Sequence, residues 1–419
     1  MALLGDLKAH LSLYLGLHAA LFLLYLGALR WVMARPLPLP HGGTIVIATA
    51  AIFRLILLPS QPSLSDDIWR YLWEGGLHWE GINPYAHPPD DPALEGLRDE
   101  VHARVNHRDL PAIYPPVSQW AMALGAAAGP SAPAMKAVFA IADMGLIAAL
   151  MSLLRRRGLP PERALAYAWS PLAVVEVAVS GHNDPLAIAL LLISTATMIG
   201  KRPYLSTTTL ALAGLSKLFP WVLVPLFARQ AKRALVVIPV LALACYLPYA
   251  GAGAGLYRST VVYAESWRSN DSLFGLLVAA VQATGIPPVL TSWMSAHGMS
   301  NLYGQPHMLA RLLAASLLAG LMGLLLRRQA RGTMALDRGI FLFTAGALVL
   351  LPTLHPWYVL WALPWLAIQA SPAWLALSGL VPLAYTGAWW APWAEYLPFY
   401  GLLAAGAVAR WRRGAPVLE

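Results

Sequence analysis

The sequence predicts an all-α fold, a polytopic transmembrane helical bundle of about 11 to 13 spans in a single integral-membrane domain over residues 1–419. Three observations predict it. Hydrophobic residues make up 58% of the chain and charged ones 12%, where soluble domains carry about a quarter charged. Mean hydropathy is +0.58. Eleven separate apolar stretches are long enough to cross a bilayer. Together these exclude a soluble multidomain enzyme and a disordered chain. The lone cysteine, Cys245 within an apolar run, excludes a disulfide scaffold.

In chain order the stretches are 11–32, 43–58, 133–154, 163–180, 184–200, 234–250, 305–326, 339–354, 356–370, 372–389 and 396–411. The first runs into Arg30 and Arg35 rather than a small-residue cleavage site, so it reads as a retained helix. Two segments depart from the pattern. Residues 116–129 are short for a span and read as re-entrant or tilted. Residues 204–228 break at Lys217-Leu218-Phe219-Pro220 and read as a hairpin of two short helices, tip outward.

The chain carries 29 Lys and Arg against 20 Asp and Glu, and the placement of that excess sets the topology. Eighteen of the 29 lie in six short segments bordering apolar stretches. These are Arg30 and Arg35; Arg155, Arg156, Arg157 and Arg163; Lys201 and Arg202; Arg229, Lys232 and Arg233; Arg327, Arg328, Arg331 and Arg338; Arg410, Arg412 and Arg413. Basic residues placed so mark cytoplasmic loops. A nucleic-acid partner is not expected, since it would need them gathered on one soluble surface. The N-terminus is then expected outside and the C-terminus inside, in the inner (cytoplasmic) membrane of the cell.

One long polar segment, residues 59–118, falls on the outer side and is expected to carry short helices. It holds ten of the 20 acids against four arginines, with Pro, Gly and aromatics throughout. A loop of that length in a compact fold is functional or disordered, and its Trp and Tyr content argues for order. Asp67, Arg70, Tyr71 and Glu74 recur at three and four residues, so a helix would put them on one face. Ser65 or Asp66 would cap such a helix, and a capped amphipathic surface helix explains most of the pattern. It leaves unexplained two adjacent carboxylates directly after a spanning helix, which are costly unless paired or used.

Four further clusters share the outer side. Gly181-His182-Asn183-Asp184 reads as a polar turn capping the next helix, or as a site. In Trp267-Arg268-Ser269-Asn270-Asp271-Ser272, capping accounts for Asn270 to Ser272 but not for Trp267 and Arg268. Trp357 and Tyr358 suit an interface belt, but His355 beside them does not. Lys217 either snorkels to the surface or binds an anionic phosphate. Carboxylates, histidines, a lysine and an arginine on one face suit group transfer from a phosphate. Cations would neutralise charge developing on the leaving phosphate, and a carboxylate would take the proton of an incoming hydroxyl. No P-loop, Rossmann glycine pattern, nucleophile elbow or metal-spaced CxxC pair is present.

The run Asp66-Asp67-Ile68-Trp69-Arg70-Tyr71-Leu72-Trp73-Glu74-Gly75, continuing to Gly81-Ile82-Asn83-Pro84-Tyr85, resembles the first external loop of GT-C-type glycosyltransferases. The nearest in character are the polyprenyl-phosphate-mannose-dependent α-mannosyltransferases of bacterial envelopes. The similarity extends to Tyr114-Pro115-Pro116, Gly181 to Asp184, Lys217 to Pro220, Asn270 to Phe274 and His355 to Tyr358, an ordered set covering most of the chain.

The resemblance implies an inverting transfer of a sugar, mannose by the resemblance alone, from a polyprenyl-phosphate donor to a lipid-linked or glycan acceptor. Asp67 would be the base and Asp66 its partner. Donor phosphate and sugar would meet Lys217, Arg268, His355, His182, Asp184, Arg70 and Tyr358. Glu74, Asn83, Tyr85, Tyr114, Asn270 and Asp271 would recognise the acceptor or shape the loop. No metal ligands are assigned, and a weak dependence on a divalent metal stays open. The rival reading is a transporter or flippase of lipid-linked sugars, but such proteins place ionisable groups near the midplane on broken helices.

Overall fold

The computed structural model describes residues 1–34, 40–300 and 304–412. Arg35 and Arg413 of the basic segments lie outside them. The described residues are helical without a strand, apart from one isolated bridge between Ser269 and Thr353.

Helices α1 (Leu11–Met33) and α2 (Gly42–Leu57) precede the long loop. Within the loop lies α3 (Asp67–Trp79), and α4 (Pro116–Ala127) comes after it as a helix of only 12 residues. The long α5 (Ala132–Arg156) starts where the Ser131 side chain accepts from the Ala134 amide and ends on Arg155 and Arg156. Both ends suit the helix dipole and its unpaired groups.

Proline divides the next apolar stretches. Stretch 163–180 becomes α6 (Leu165–Ala168) and, after Pro171, α7 (Pro171–Ala178). Next come α8 (Asp184–Ile199) and α9 (Pro203–Gly214). After the break at residues 215–218 a continuous helical run, Phe219–Ala252, contains α10 (Val224–Ala231) and α11 (Val237–Tyr246). This run of 34 residues would be about 50 Å long if straight. Yet Lys217 lies 5.6 Å from the Tyr114 ring, Tyr85 donates to the Tyr114 carbonyl, and Tyr249 packs 5.0 Å from Tyr85. Both ends therefore reach the same loop, and the run folds back at Lys232, whose φ is +28°.

Helix α12 (Gly255–Ser266) leads to a pair that the apolar stretches did not include, α13 (Leu273–Ala283) and α14 (Ile286–Ala296). They meet at 70° where Gly285 and two prolines interrupt them. The chain ends with α15 (Pro306–Ala330), α16 (Leu336–Leu350), α17 (Pro372–Leu380) and α18 (Ala391–Arg412). Stretch 356–370 forms only the 3-10 turns Pro356–Trp361 and Leu363–Ala367.

Among the described residues, four helical runs are long and apolar enough to cross a membrane: Leu11–Met33, Ala132–Arg156, Phe219–Ala252 and Pro306–Ala330. The bent α13–α14 pair makes a fifth. Stretches 163–180, 356–370 and 372–389 become shorter elements at Pro171, Pro356, Pro364 and Pro382, since a proline removes a helix donor and crowds the preceding turn.

The largest buried cluster joins α1, α2, α5 to α9, α16, α17 and the 356–367 turns. It encloses an ion pair between Arg54 Nε and Asp143 Oδ2 at 2.7 Å, joined by Tyr167 Oη donating to Asp143. Charges at that depth persist only when paired, and this pair ties α2 to α5. A second cluster lies under the loop, where Ile68, Tyr71, Leu72 and Trp73 meet Met122, Met135 and Phe139. Gly75 permits the closest approach: a Cβ there would stand 2.3 Å from the Met122 carbonyl oxygen.

Four basic segments meet at one end of the bundle. Arg157 bonds Asp337, Arg229 Nη1 donates to the Gln329 carbonyl at 2.9 Å, and Arg156 lies against Gly200.

Candidate active site

The site is built from the start of α3 and from loop residues that Arg70 gathers. Buried Arg70 donates from Nε to Glu74 at 2.8 Å. Its Nη1 donates to the carbonyls of Asn106 and His107, and its Nη2 to those of Leu110 and Pro111, all within 3.0 Å. Glu74 also accepts from Gln119 Nε2 at 2.6 Å. A guanidinium so fully used fixes segment 106–111 against α3. Asn106 is thereby held over the helix start, where its Nδ2 donates to Asp66 Oδ1 at 2.9 Å and to Asp67 Oδ1 at 3.1 Å.

Neither carboxylate behaves as a cap: Asp66 occupies the N-cap position, but its side chain accepts from no amide of α3. Asp67 is one-fifth exposed. Burial, and then the adjacent Asp66 charge, push its pKa up to about 6, against the opposing pull of Lys217 and Asn106.

The turn at residues 181–184 lies beside these acids. Gly181 has φ +78°, and a Cβ there would meet Ile68 and Lys136 at 2.8 Å. His182 Nδ1 stands 3.7 Å from Asp67 Oδ2. Burial, then Lys217 and His355, hold its pKa well below the ordinary histidine value, so the imidazole is neutral. Asn183 makes no cap either, and donates to Ser118 Oγ. Lys217 enters from the α9 break and donates to Asp184 Oδ2 at 2.6 Å and Asn183 Oδ1 at 3.1 Å. Asp184 is further held by Trp361 Nε1 at 2.7 Å.

Aromatic rings floor the site. His182, Trp357 and His355 form a stack, with centroids 3.9 Å and 4.4 Å apart and planes within 19° and 5°. Tyr358 and Tyr263 share a hydroxyl contact of 2.9 Å. Burial, then Lys217, bring the His355 pKa down to about 4.

A cavity of about 850 Å³ opens over these residues. One end is polar, with Asp66, Asp67, Asn106, Lys217 and His355; another wall is apolar, with Leu218, Val222, Leu348 and Leu351. Leu218 and Val222 are exposed, at 39% and 47%. Such a space accepts an amphiphile with a charged head.

The residues expected from sequence divide into four groups. Asp66, Asp67, Arg70, Tyr114, Lys217, Asn270, His355 and Tyr358 line the cavity. His182 and Asp184, expected at the donor, are buried behind it and act through Asp67 and Lys217. Arg268, also expected at the donor, stands outside the lining because it bonds Asp271 three residues on and lies over Phe274. Glu74, Asn83 and Tyr85 are loop-shaping: Asn83 Nδ2 donates to the Tyr249 carbonyl at 3.1 Å, and Tyr85 Oη to that of Tyr114 at 2.6 Å. Asn270, at φ +49°, donates to Glu395 Oε2 at 2.9 Å.

Sequence reasoning missed Asn106, Tyr263, Glu176 and Tyr385. Glu176 had a signal, an acid inside an apolar stretch; Asn106 sits in an aperiodic segment and had none. Among the described residues, no group of three or more His, Cys, Asp or Glu could hold a metal ion.

Fold and site define a helical membrane protein with a carboxylate-bearing cavity at one end of its bundle. Residues 4–233 match the family described as alpha-(1->6)-mannopyranosyltransferase, N-terminal domain (MptA/B), and the chain belongs to that family. It is a glycosyltransferase, an α-mannosyltransferase, acting between a sugar donor and a glycan acceptor. No curated protein and no solved structure matches the chain. Asp66, Asp67, His182, Asp184 and Lys217 lie inside the matched region.

Proposed function

We propose that the protein transfers mannose from a polyprenyl-phosphate donor to a lipid-linked or glycan acceptor, with inversion, on the extracytoplasmic face. The observation that carries this reading is the two-part cavity, a polar end around Asp67 and Lys217 continuous with an apolar wall whose Leu218 and Val222 are exposed. A nucleotide sugar has no use for that wall, and a polyprenyl chain does. Lys217 spends donors on Asn183 and Asp184 and keeps one of its three for a phosphate oxygen. Asp67, with a pKa of about 6, is ionised at neutral pH yet basic enough to take the acceptor's hydroxyl proton as the oxygen attacks C1. Asp66 and Asn106 hold it in place. The extracytoplasmic assignment is supported by the basic segments gathering at the opposite end.

The test compares polyprenyl-phosphate mannose with guanosine-diphosphate mannose, using purified protein in liposomes. Turnover of the lipid donor alone is expected. Direct use of the nucleotide sugar, with no lipid carrier present, would refute the donor assignment.

A further inference from the structure

We infer that His182 and Glu176 are positioning residues behind Asp67, forming a buried proton path from Asp67 Oδ2 through the imidazole to Glu176 Oε2; this rests on the reading of Asp67 as the base. His182 Nδ1 is 3.7 Å from Asp67 Oδ2, and Nε2 is 3.4 Å from Glu176 Oε2. Both His182 and Glu176 are fully buried, and neither ring nitrogen has a hydrogen-bond partner among the described residues. Leaving such groups unpaired costs about 1–3 kcal/mol each, so a fold that tolerates it has a use for the arrangement.

The ring is clamped in place. Trp357 lies flat on it at 3.9 Å, and the His182 amide donates to the Glu176 carbonyl at 3.0 Å. Glu176 is fixed in turn by Tyr385 Oη donating to Oε1 at 2.7 Å. Asp66, Asp184, Lys217, His355 and the phenols of Tyr71, Tyr114, Tyr263 and Tyr385 are the charged and titratable surroundings of Asp67 and His182, with Tyr14, Tyr385 and Asp184 facing Glu176.

Proton counting gives this row its role. A neutral imidazole has one N–H, and two carboxylates flank it. With that hydrogen on Nε2, toward Glu176, the Nδ1 lone pair faces Asp67, and the gap there stands open. One proton is missing from the row. The acceptor hydroxyl supplies it: its O–H breaks, and the oxygen bonds C1 of the sugar. The C1–O bond to phosphate breaks with its electron pair left on phosphate. The proton passes through Asp67 to His182 Nδ1, leaving an imidazolium between two carboxylates. Burial opposes that charge first, then Lys217 and His355; a donor phosphate on Lys217 offsets the cationic share, so donor binding readies the path.

The test uses His182→Gln and Glu176→Gln in the full-length protein, with Asp67→Asn as reference, in the same liposome assay. Gln at 176 still accepts from Tyr385, so this variant keeps the fold if His182→Gln does not. Both are expected to lower kcat about tenfold to a hundredfold with donor KM unchanged, less than the roughly 10²–10⁴ of a lost base. The acid limb of the kcat profile should move to lower pH by about half a unit or more, because the coupled row holds its proton less tightly. Wild-type rates in both variants, or a rate loss with an unmoved limb, would overturn the path while an inactive Asp67→Asn left the base standing. An active Asp67→Asn would remove the base and the path together.

Discussion

Replacing Asp67 with Asn removes a charge that the folded protein holds at a cost. Its pKa stands at about 6 against an ordinary 3.8, so the ionised form is disfavoured by roughly 3 kcal/mol at 1.36 kcal/mol per unit. The sign comes from linkage. Below the unfolded value both states carry the proton and the penalty is absent. It builds as pH rises from 3.8 toward 6 and is complete above that. Asp67→Asn should therefore be more stable than wild type at neutral pH, by up to roughly 3 kcal/mol, and no more stable below about pH 4. Its rate should fall by about two to four decades, as for a lost general base, with donor binding retained. Wild-type kcat/KM should halve near pH 6 and drop about tenfold per unit below it. Turnover and thermal denaturation of the purified variant across this pH range read both effects, with Asp66→Asn, whose residue is exposed, as comparator. Equal, mild rate losses at both positions, or a stability gain that does not grow with pH, would refute the assignment.

Three other outcomes are expected. A cysteine at exposed Ala93 should react with an impermeant maleimide added from outside intact cells or spheroplasts, while buried Cys245 stays silent; labelling only from the cytoplasmic side would reverse the topology. Lys217→Ala should weaken donor binding about 10- to 100-fold, the worth of a charged hydrogen bond. Its stability loss, from Asp184 left on Trp361 alone, should be restored by adding Asp184→Asn without restoring binding. Arg70→Ala should destabilise by about 3–5 kcal/mol, since Glu74 is left buried and uncompensated. Lys at that position should not rescue it, having no planar fork to reach four carbonyls.

Hydropathy and charge placement made the helical membrane bundle legible, because spanning stretches and basic borders are physical requirements of the bilayer. Helix boundaries were less so. Stretch 356–370 is as apolar as a span, yet Pro356 and Pro364 turn it into short 3-10 turns that carry His355, Trp357 and Tyr358 to the cavity. The α13–α14 pair escaped because Gly285 and two prolines cut its apolar run in half. At the site, the motif residues were visible by type, but their contacts were not. Asp184 and Lys217 lie 33 positions apart and meet only because α8 and α9 pack as a hairpin. Arg268 has the right charge in the right segment, but Asp271 three residues on takes it first.

How the fold disposes of its acids separates structure from chemistry. Asp143 is paired with Arg54, Glu74 with Arg70, Asp184 with Lys217 and Asp337 with Arg157. The first, third and fourth pairs join segments that the apolar core alone would leave free to slide, the second lies within α3, and each carboxylate is neutralised where it stands. Asp67 and Glu176 have no Lys or Arg ion pair among the described residues; each has only His182 within ion-pair distance. A carboxylate kept from water and denied a cation is the more basic for it. Asp67 lines the cavity where an acceptor hydroxyl must lose its proton, and Glu176 stands buried behind it across one imidazole.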